Sequence, residues 1–366
     1  MPDDDHLDPA VDDAVRRILA ATGTPGAAIA VSVNGVIQAA GIGSPDLDAR
    51  HPLPADARFP LYSITKTYLA IAILRLVEEG RIGLDDPLAT VLPERGPVQP
   101  ITIRQVLGHT GGVPDYGTMP EYHADLRREP ATPWTTDRFL ERTLGRGLAF
   151  APGMGWRYSN VGYLLLRLVI ERLTGVSLTE ALSRLVIAPL RLHETHVIAS
   201  LVDLGACTPG YGDQFLDADA SGDVRPLYDP GWVSHGLLGA TASDVARLFD
   251  ALMGGRIIGE VMLAEMFTPV LTGTEHRWIR TPAYGLGVMI DLDASHGLVV
   301  GHAGGGPGYS TAAFHFPDVN GERVTIVALA NRDHDEIGVE IVFSLAELIC
   351  RRVDLLERSG SGNGVA

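Results

Sequence analysis

Lysine is almost missing from this chain: of its 29 basic residues Lys66 is the one lysine, and all the others are arginine. Arginine replaces lysine wherever only surface charge is needed, but it is not deprotonated in a protein and cannot act as a base. The lone lysine therefore points to a position that needs an amine able to lose its proton. Positive charge as a whole is in short supply. The net charge of -16 argues against nucleic acid or an anionic membrane as a partner, since both surfaces would repel the chain. Cysteine is scarce too. Cys207 and Cys350 lie far apart and belong to no metal-spaced cluster, so both read as ordinary thiols. No apolar run reaches about 18 residues without a charge, and no membrane span is expected. The first residues, Met1 to Asp8, are acidic and lack the basic start and apolar stretch of a secretory signal. A cytoplasmic location is the expectation.

What is present is core material. With 366 residues, 46% hydrophobic and 20% charged, the chain can bury a large interior. No linker-like stretch interrupts it, which favours one unit of two intertwined lobes over separate domains. Near the start, Val11, Val15, Ile18 and Leu19 share a helical stripe over residues 8–22. Two extended runs, 27–33 and 36–42, flank Asn34-Gly35, a strong hairpin signal because both central positions of a type I′ turn need positive φ. Helices are expected at 59–80, after an N-cap at Thr102, at 132–144, at 161–173 with Asn160 as cap, at 178–186, and after an N-cap at Ser243. Strands are expected at 284–291, 297–301, 311–316 and 323–329, with Asn320-Gly321 as a second hairpin turn, followed by a helix over 336–353. Strands at both ends and helices between them imply one antiparallel sheet with an inserted helical lobe. The boundaries expected are a single domain over 8–355, with a sheet lobe at 8–58 and 280–355, a helical lobe at 59–279, and a disordered tail at 356–366.

The chemistry concentrates in Phe59 to Leu76. Ser63 and Lys66 are three residues apart on one helix and so share a face, within hydrogen-bonding reach. A hydroxyl is a poor nucleophile until a neighbouring base takes its proton, and lysine can be that base once burial or a neighbouring cation lowers its pKa. Other candidates carry two readings each. His109, beside glycines and a threonine, reads first as a loop-ordering histidine and second as a catalytic one. Tyr158, at the mouth of the helix that follows it, reads as packing with a satisfied hydroxyl or as a catalytic phenol. Trp232 and His235 fit a pocket lining and core packing equally.

Taken jointly, Ser63-Ile64-Thr65-Lys66, Tyr158-Ser159-Asn160 and His302-Ala303-Gly304 resemble the three-motif signature of penicillin-recognising serine hydrolases. The resemblance spans about residues 8 to 355. It is closest to the branch of D-alanyl-D-alanine carboxypeptidases, D-aminopeptidases and D-amino-acid amidases, class C β-lactamases and β-lactamase-like esterases. It implies an α+β fold of the β-lactamase/transpeptidase type and an acyl-enzyme on Ser63, with no metal or organic cofactor. Ser63 and Gly305 backbone N–H groups would form the oxyanion hole. Lys66 and Tyr158 would share the proton traffic, with either as acylation base. Asn160 would hold the substrate amide, Gly304 would line the strand edge, and Trp232 would belong to the pocket wall.

His302 stands where the Lys-Thr-Gly version of the third motif has lysine. The resemblance implies a hydrogen-bonding imidazole, cationic below about pH 6.5 and a weaker anchor for a carboxylate. This departure favours amides or peptides of D-amino acids as the substrate class, small molecules or short peptides in either case. A β-lactamase-like carboxylesterase is the alternative, as is a transacylase or peptide cyclase with an amine or alcohol acceptor. A silent binding module is disfavoured because serine, lysine and tyrosine are all present. Oligomeric state leaves no mark on the sequence.

Overall fold

The structure, a computed structural model, describes residues 7–95, 98, 100–215, 222–333 and 336–360, with 352–360 described by backbone alone. β-branched and small apolar residues at both ends of the chain build one antiparallel sheet. Its strand order is Val36–Gly43, Gly26–Val33, Glu322–Ala330, Tyr309–Val319, Val299–Gly306, Met289–Asp291, Pro282–Tyr284 and Val270–Leu271. The central pairing joins the two chain ends, with Ala27 opposite Ala330 and Val33 opposite Val324. Both Asn-Gly turns have the required backbone: φ is 51° at Asn34 and 87° at Gly35, and 56° at Asn320 and 85° at Gly321.

The sheet separates two apolar cores. On one face the helix Pro9–Thr22 and the terminal helix pack over Val15, Ile29, Phe314, Ile326 and Ile341. On the other lies the helical lobe, centred on the helix Thr65–Glu78. That helix is buried on every side from Thr65 to Leu74, as the unbroken apolar run Tyr68 to Leu74 requires. The β-lactamase/transpeptidase-like α+β architecture expected from the sequence is the one observed.

Several local expectations are corrected. Residues 284–291 form two short strands rather than one, because the chain reverses between Tyr284 and Met289, with Gly287 at φ 85° seated against Ala70. The helix Asn160–Thr174 is capped by Ser159, whose hydroxyl accepts the Gly162 N–H, and not by Asn160. Thr241, not Ser243, caps Ala242–Met253 by the same bond to Asp244. Both differences have one cause, since the residue with β-region backbone just before the first turn is the one whose oxygen reaches the free N–H groups. The helix expected at 132–144 begins at Thr136, capped by Thr135. The helix Pro120–Arg128 was not anticipated. Val270–Leu271 joins the sheet from within the segment expected to be helical. The terminal helix runs from Ile337 through Gly360, into the stretch read as a tail, and residues 361–366 lie outside the described residues. No helix among the described residues is long and apolar enough to cross a membrane.

Candidate active site

Ser63 is fixed by backbone on both sides. The short strand Phe59–Pro60 pairs with Leu238–Ala240, the Leu61 N–H donates to Leu238 O at 2.7 Å, and the Leu238 N–H donates to Thr65 Oγ1 at 3.2 Å. Between them Tyr62 takes φ 45°, a strained value for a bulky side chain. Its hydroxyl donates to Pro307 O at 2.8 Å and pins it there. Ser63 thus sits in a single tight turn, Tyr62–Ile64, that feeds the buried helix.

The edge of strand Val299–Gly306 crosses this turn at backbone contact distance. A Cβ on Gly304 would stand 2.3 Å from Leu61 O and 3.0 Å from the Ser63 nitrogen, so only glycine permits the approach. At Gly305 a Cβ would meet nothing within 4 Å, and the residue faces open space beside the serine. Thr311 stitches the crossing together, its hydroxyl lying 3.2 Å from Leu61 O and 3.1 Å from Gly304 O.

Lys66 is fully buried, and three acceptors surround its amine: Ser63 Oγ at 3.1 Å, Asn160 Oδ1 at 2.8 Å and His235 Nε2 at 3.2 Å. An ammonium can donate to all three. A neutral amine can still donate to Asn160 and His235 while its lone pair takes the serine proton. Burial lowers the pKa of Lys66 to about 7, with the Asp115 carboxylate opposing the fall. Nζ also lies 4.9 Å from the centre of the Tyr158 ring. Burial pushes the Tyr158 phenol well above its ordinary value, with a hydrogen bond from Ser63 opposing, so the phenol is protonated at neutral pH.

Two loops set these groups in place. The Ser159 N–H donates to His109 Nδ1 at 3.2 Å, Ser159 Oγ donates to Pro114 O at 3.2 Å, and the Arg157 N–H donates to His109 O at 3.0 Å. His109 therefore orders the loop, with its ring packed 4.4 Å from Tyr158 and 4.6 Å from Tyr284, centre to centre. Asp115 accepts the Asn160 N–H at 2.7 Å, its side-chain amide at 3.2 Å and the Gly117 N–H at 3.0 Å.

His302 is close by but differs from expectation. Nδ1 lies 2.6 Å from Ala303 O, which can only accept, so Nδ1 carries the proton and Nε2 accepts from Tyr284 Oη at 2.9 Å. Burial, then the nearby Lys66, drives its pKa down to about 3. The expected cation below about pH 6.5 is not what this environment produces.

A cleft of about 180 Å³ opens at Ser63, walled by Tyr62, Tyr116, Asn160, Tyr228, Trp232 and Gly305. Trp232 fits both of its readings: 1% exposed and packed on Tyr122 and Trp134, it also forms part of the wall. Ser63, Lys66, Asn160 and Tyr158 are brought together as expected, and Gly304 and Gly305 border them. Asp115 and Tyr284 are members of the site that the sequence does not single out. His235 takes the pocket-lining one of its two readings, 3.2 Å from Lys66 Nζ, whereas nothing in the spacing links Asp115 to Asn160 or Tyr284 to His302. Among the described residues, no group of three His, Cys, Asp or Glu side chains is gathered as a metal would require.

An antiparallel sheet whose edge overlies a serine, with a buried low-pKa lysine beneath, defines a serine hydrolase of the acyl-enzyme kind. The family profile named Beta-lactamase matches residues 11–343, and the chain belongs to that family. Penicillin-binding protein 4* of Bacillus subtilis is 28% identical over 318 residues, which cover 84% of this chain and 68% of that protein. Esterase EstB of Burkholderia gladioli is 34% identical over 174 residues, 43% of each chain. Among solved structures, a D-stereospecific amidohydrolase from Streptomyces sp. superposes with a TM-score of 0.77 at 29% identity, covering 91% of this chain and 97% of that one.

Proposed function

We propose that this serine hydrolase acts on amides or short peptides of D-amino acids through an acyl-enzyme on Ser63. The observation that carries the reading is the Lys66 amine, buried between Ser63 Oγ and Asn160 Oδ1 with its pKa near neutrality. Likeness to the D-stereospecific amidohydrolase supports the choice of amide and of D configuration.

Neutral Lys66 takes the Ser63 proton as Oγ attacks the carbonyl carbon. Tyr158, kept protonated at neutral pH by burial, is not available as a resting base and holds a proton that the basic departing nitrogen can take. It gives its proton to the departing nitrogen and is reprotonated from Lys66, so the serine proton ends on the leaving amine. Water then attacks the ester by the reverse route. The oxyanion is held by the N–H groups of Ser63 and Gly305. Gly306 and Tyr309 are opposed at the end of their hairpin, and alternation along the ladder leaves the Gly305–Ser310 pair as the one whose N–H groups point away from each other. Gly305 N–H is thereby available to the cleft. Asn160 offers its side-chain amide to the substrate.

A second reading, carboxylesterase, is favoured by the similarity to Esterase EstB. Both readings are tested by intact-protein mass after brief incubation with a D-amino-acid amide, a p-nitrophenyl ester, a D-Ala-D-Ala peptide and a penicillin, with Ser63→Ala as control. An adduct or product from the amide that is absent in the mutant supports the amidase reading. Turnover of the ester alone supports the esterase, and no product or adduct from any donor overturns both.

A further inference from the structure

Further along the sheet from the Gly304–Thr311 pair, by about 13 Å of strand, a polar row lies where the sheet is otherwise apolar. Ser32, Thr325 and His315 stand side by side on three adjacent strands, with Thr325 opposite both of the others. Their neighbours on the same face, Ala30, Val327 and Ala313, belong to the core beneath the helical lobe. All three polar side chains are buried. They converge on the helix Ala242–Met253, which packs across these strands. Ser32 Oγ donates to Asp250 Oδ2 at 2.5 Å, and Thr325 Oγ1 donates to Asp250 Oδ1 at 2.7 Å. His315 Nδ1 lies 2.9 Å from Thr325 Oγ1. The single hydroxyl proton of Thr325 goes to the carboxylate, so Thr325 accepts from His315. The ring proton is therefore on Nδ1, and Nε2 is left with a bare lone pair.

His315 lines a cavity of about 450 Å³ whose other polar walls are Asn34, Asp250, Arg256 and Arg323, and which shares no residue with the cleft at Ser63. The ring is 4% exposed, and Nε2 has no partner among the described residues yet is not sealed from solvent, so it opens on this cavity. Neither the Arg256 nor the Arg323 guanidinium has a hydrogen-bond or ion-pair partner among the described residues. The nearby acceptors are already engaged. Asp250 holds two hydroxyls, and Glu322 is bonded by the Asn34 amide. At the helix end the carbonyls of Asp250, Ala251 and Leu252 accept the N–H groups of Gly254, Arg256 and Gly255. Two arginines against one aspartate give the lining an excess of positive charge, on a chain whose net charge is -16.

Unpaired guanidinium groups call for acceptor oxygens, and the bare nitrogen of His315 calls for a donor. A carboxylate or sulfate ion supplies acceptors alone and would set an oxygen against the lone pair. An oxyanion that keeps one acidic proton supplies both. We propose that this cavity binds a protonated phosphate, either hydrogenphosphate or the monoanion of a phosphomonoester, with its bare oxygens on Arg256 and Arg323 and its P–OH donating to His315 Nε2. Guanidinium groups match phosphate oxygens in pairs, which suits two of them on one rim. The charged groups that face the ring across the cavity are Asp250, Arg323 and Arg256. Burial lowers the ring to about 4, with Asp250 opposing and Arg323 assisting, so it stays an acceptor at neutral pH. Inorganic phosphate keeps a proton throughout the neutral range, whereas a phosphomonoester loses its last one at about pH 6. The inference is independent of the reaction at Ser63.

The test is calorimetric titration of the full chain with sodium phosphate, phenyl phosphate and sodium sulfate, at matched ionic strength and at pH 5.5, 6.5 and 8. One saturable site for phosphate is expected at all three pH values. At pH 6.5 it should be about tenfold or more tighter for phosphate than for sulfate, the scale of one hydrogen bond to a charged group. Arg256→Gln and Arg323→Gln, both on the exposed rim, should each weaken phosphate binding by about tenfold and leave the melting temperature in phosphate-free buffer unchanged. Ser63→Ala should bind as the wild type does. Phenyl phosphate binding that is present at pH 5.5 and fades by pH 8 supports a phosphomonoester as the ligand, and phosphate binding without phenyl phosphate binding supports the free anion. No saturable phosphate binding, equal binding of sulfate, or binding undiminished in both arginine variants overturns the proposal.

Discussion

Asp115 grips Asn160 at two points, taking its backbone N–H with one carboxylate oxygen and its side-chain amide with the other, at 2.7 and 3.2 Å. Because the amide nitrogen is held, the amide oxygen is turned to Lys66 at 2.8 Å. The carboxylate also favours the charged form of Lys66.

Replacing Asp115 by asparagine removes the charge and one acceptor oxygen. The expected loss in kcat/KM is between about ten- and a hundredfold, a part of what a positioned base supplies. The acid limb of the pH profile should also move to lower pH, since the group that raises the Lys66 pKa is gone. A lower rate with an unmoved profile shows Asp115 to be structural only.

The wild-type acid limb itself is expected near pH 7, because Lys66 must be neutral to take the serine proton. His302, with a pKa near 3, should add no inflection between pH 5 and 8. A pH series of kcat/KM with the best donor reads both.

Lys66→Met keeps the length of the side chain and discards the amine. Acylation should fall by about a hundredfold or more. Stability should respond to pH with a definite sign. The folded-state pKa of Lys66 is depressed from 10.5 to about 7, so the unfolded chain binds more protons between those values. The wild type therefore gains stability as pH rises from 7 towards 10, and below 7 it carries the full cost of a buried ammonium that the methionine variant escapes. Denaturant melts at pH 6 and pH 9 should show the variant's relative advantage shrinking with pH.

Gly304→Ala and Gly305→Ala separate close approach from open edge. At Gly304 the new methyl meets Leu61 O at 2.3 Å, forcing strand and nucleophile turn apart. Destabilisation of about 1–3 kcal/mol and loss of most activity are expected. At Gly305 the methyl meets nothing, and the melting temperature should be unchanged.

The parts of this molecule that were legible in sequence are those encoded by neighbours. The Asn34-Gly35 and Asn320-Gly321 turns, the Thr102 cap and the Ser63–Lys66 spacing each depend on a few consecutive residues. Ser159 and Asn160 show the limit: both are good caps, the backbone of Ser159 makes it the one, and the Asn160 side chain is held instead by Asp115 from 45 residues away. The state of His302 was misjudged for the same reason. Its Tyr284 partner is brought alongside by strand pairing, through Met289 opposite both Tyr284 and Gly301. The lone lysine was informative because the apolar run from Tyr68 to Leu74 that follows it marks its helix as buried, whereas its partners Asn160 and His235 come from distant segments.

The pairing of Gly26–Val33 with Glu322–Ala330 has a consequence for biosynthesis. The first strand emerges from the ribosome with only its hairpin partner and waits for its other neighbour while nearly three hundred residues are made. At ordinary elongation rates that is roughly 15 to 60 s. Over that interval the nucleophile helix has been synthesised, yet the strand edge that covers Ser63 has not. The nascent chain is therefore catalytically silent until the strands Val299–Gly306 and Glu322–Ala330 have been made.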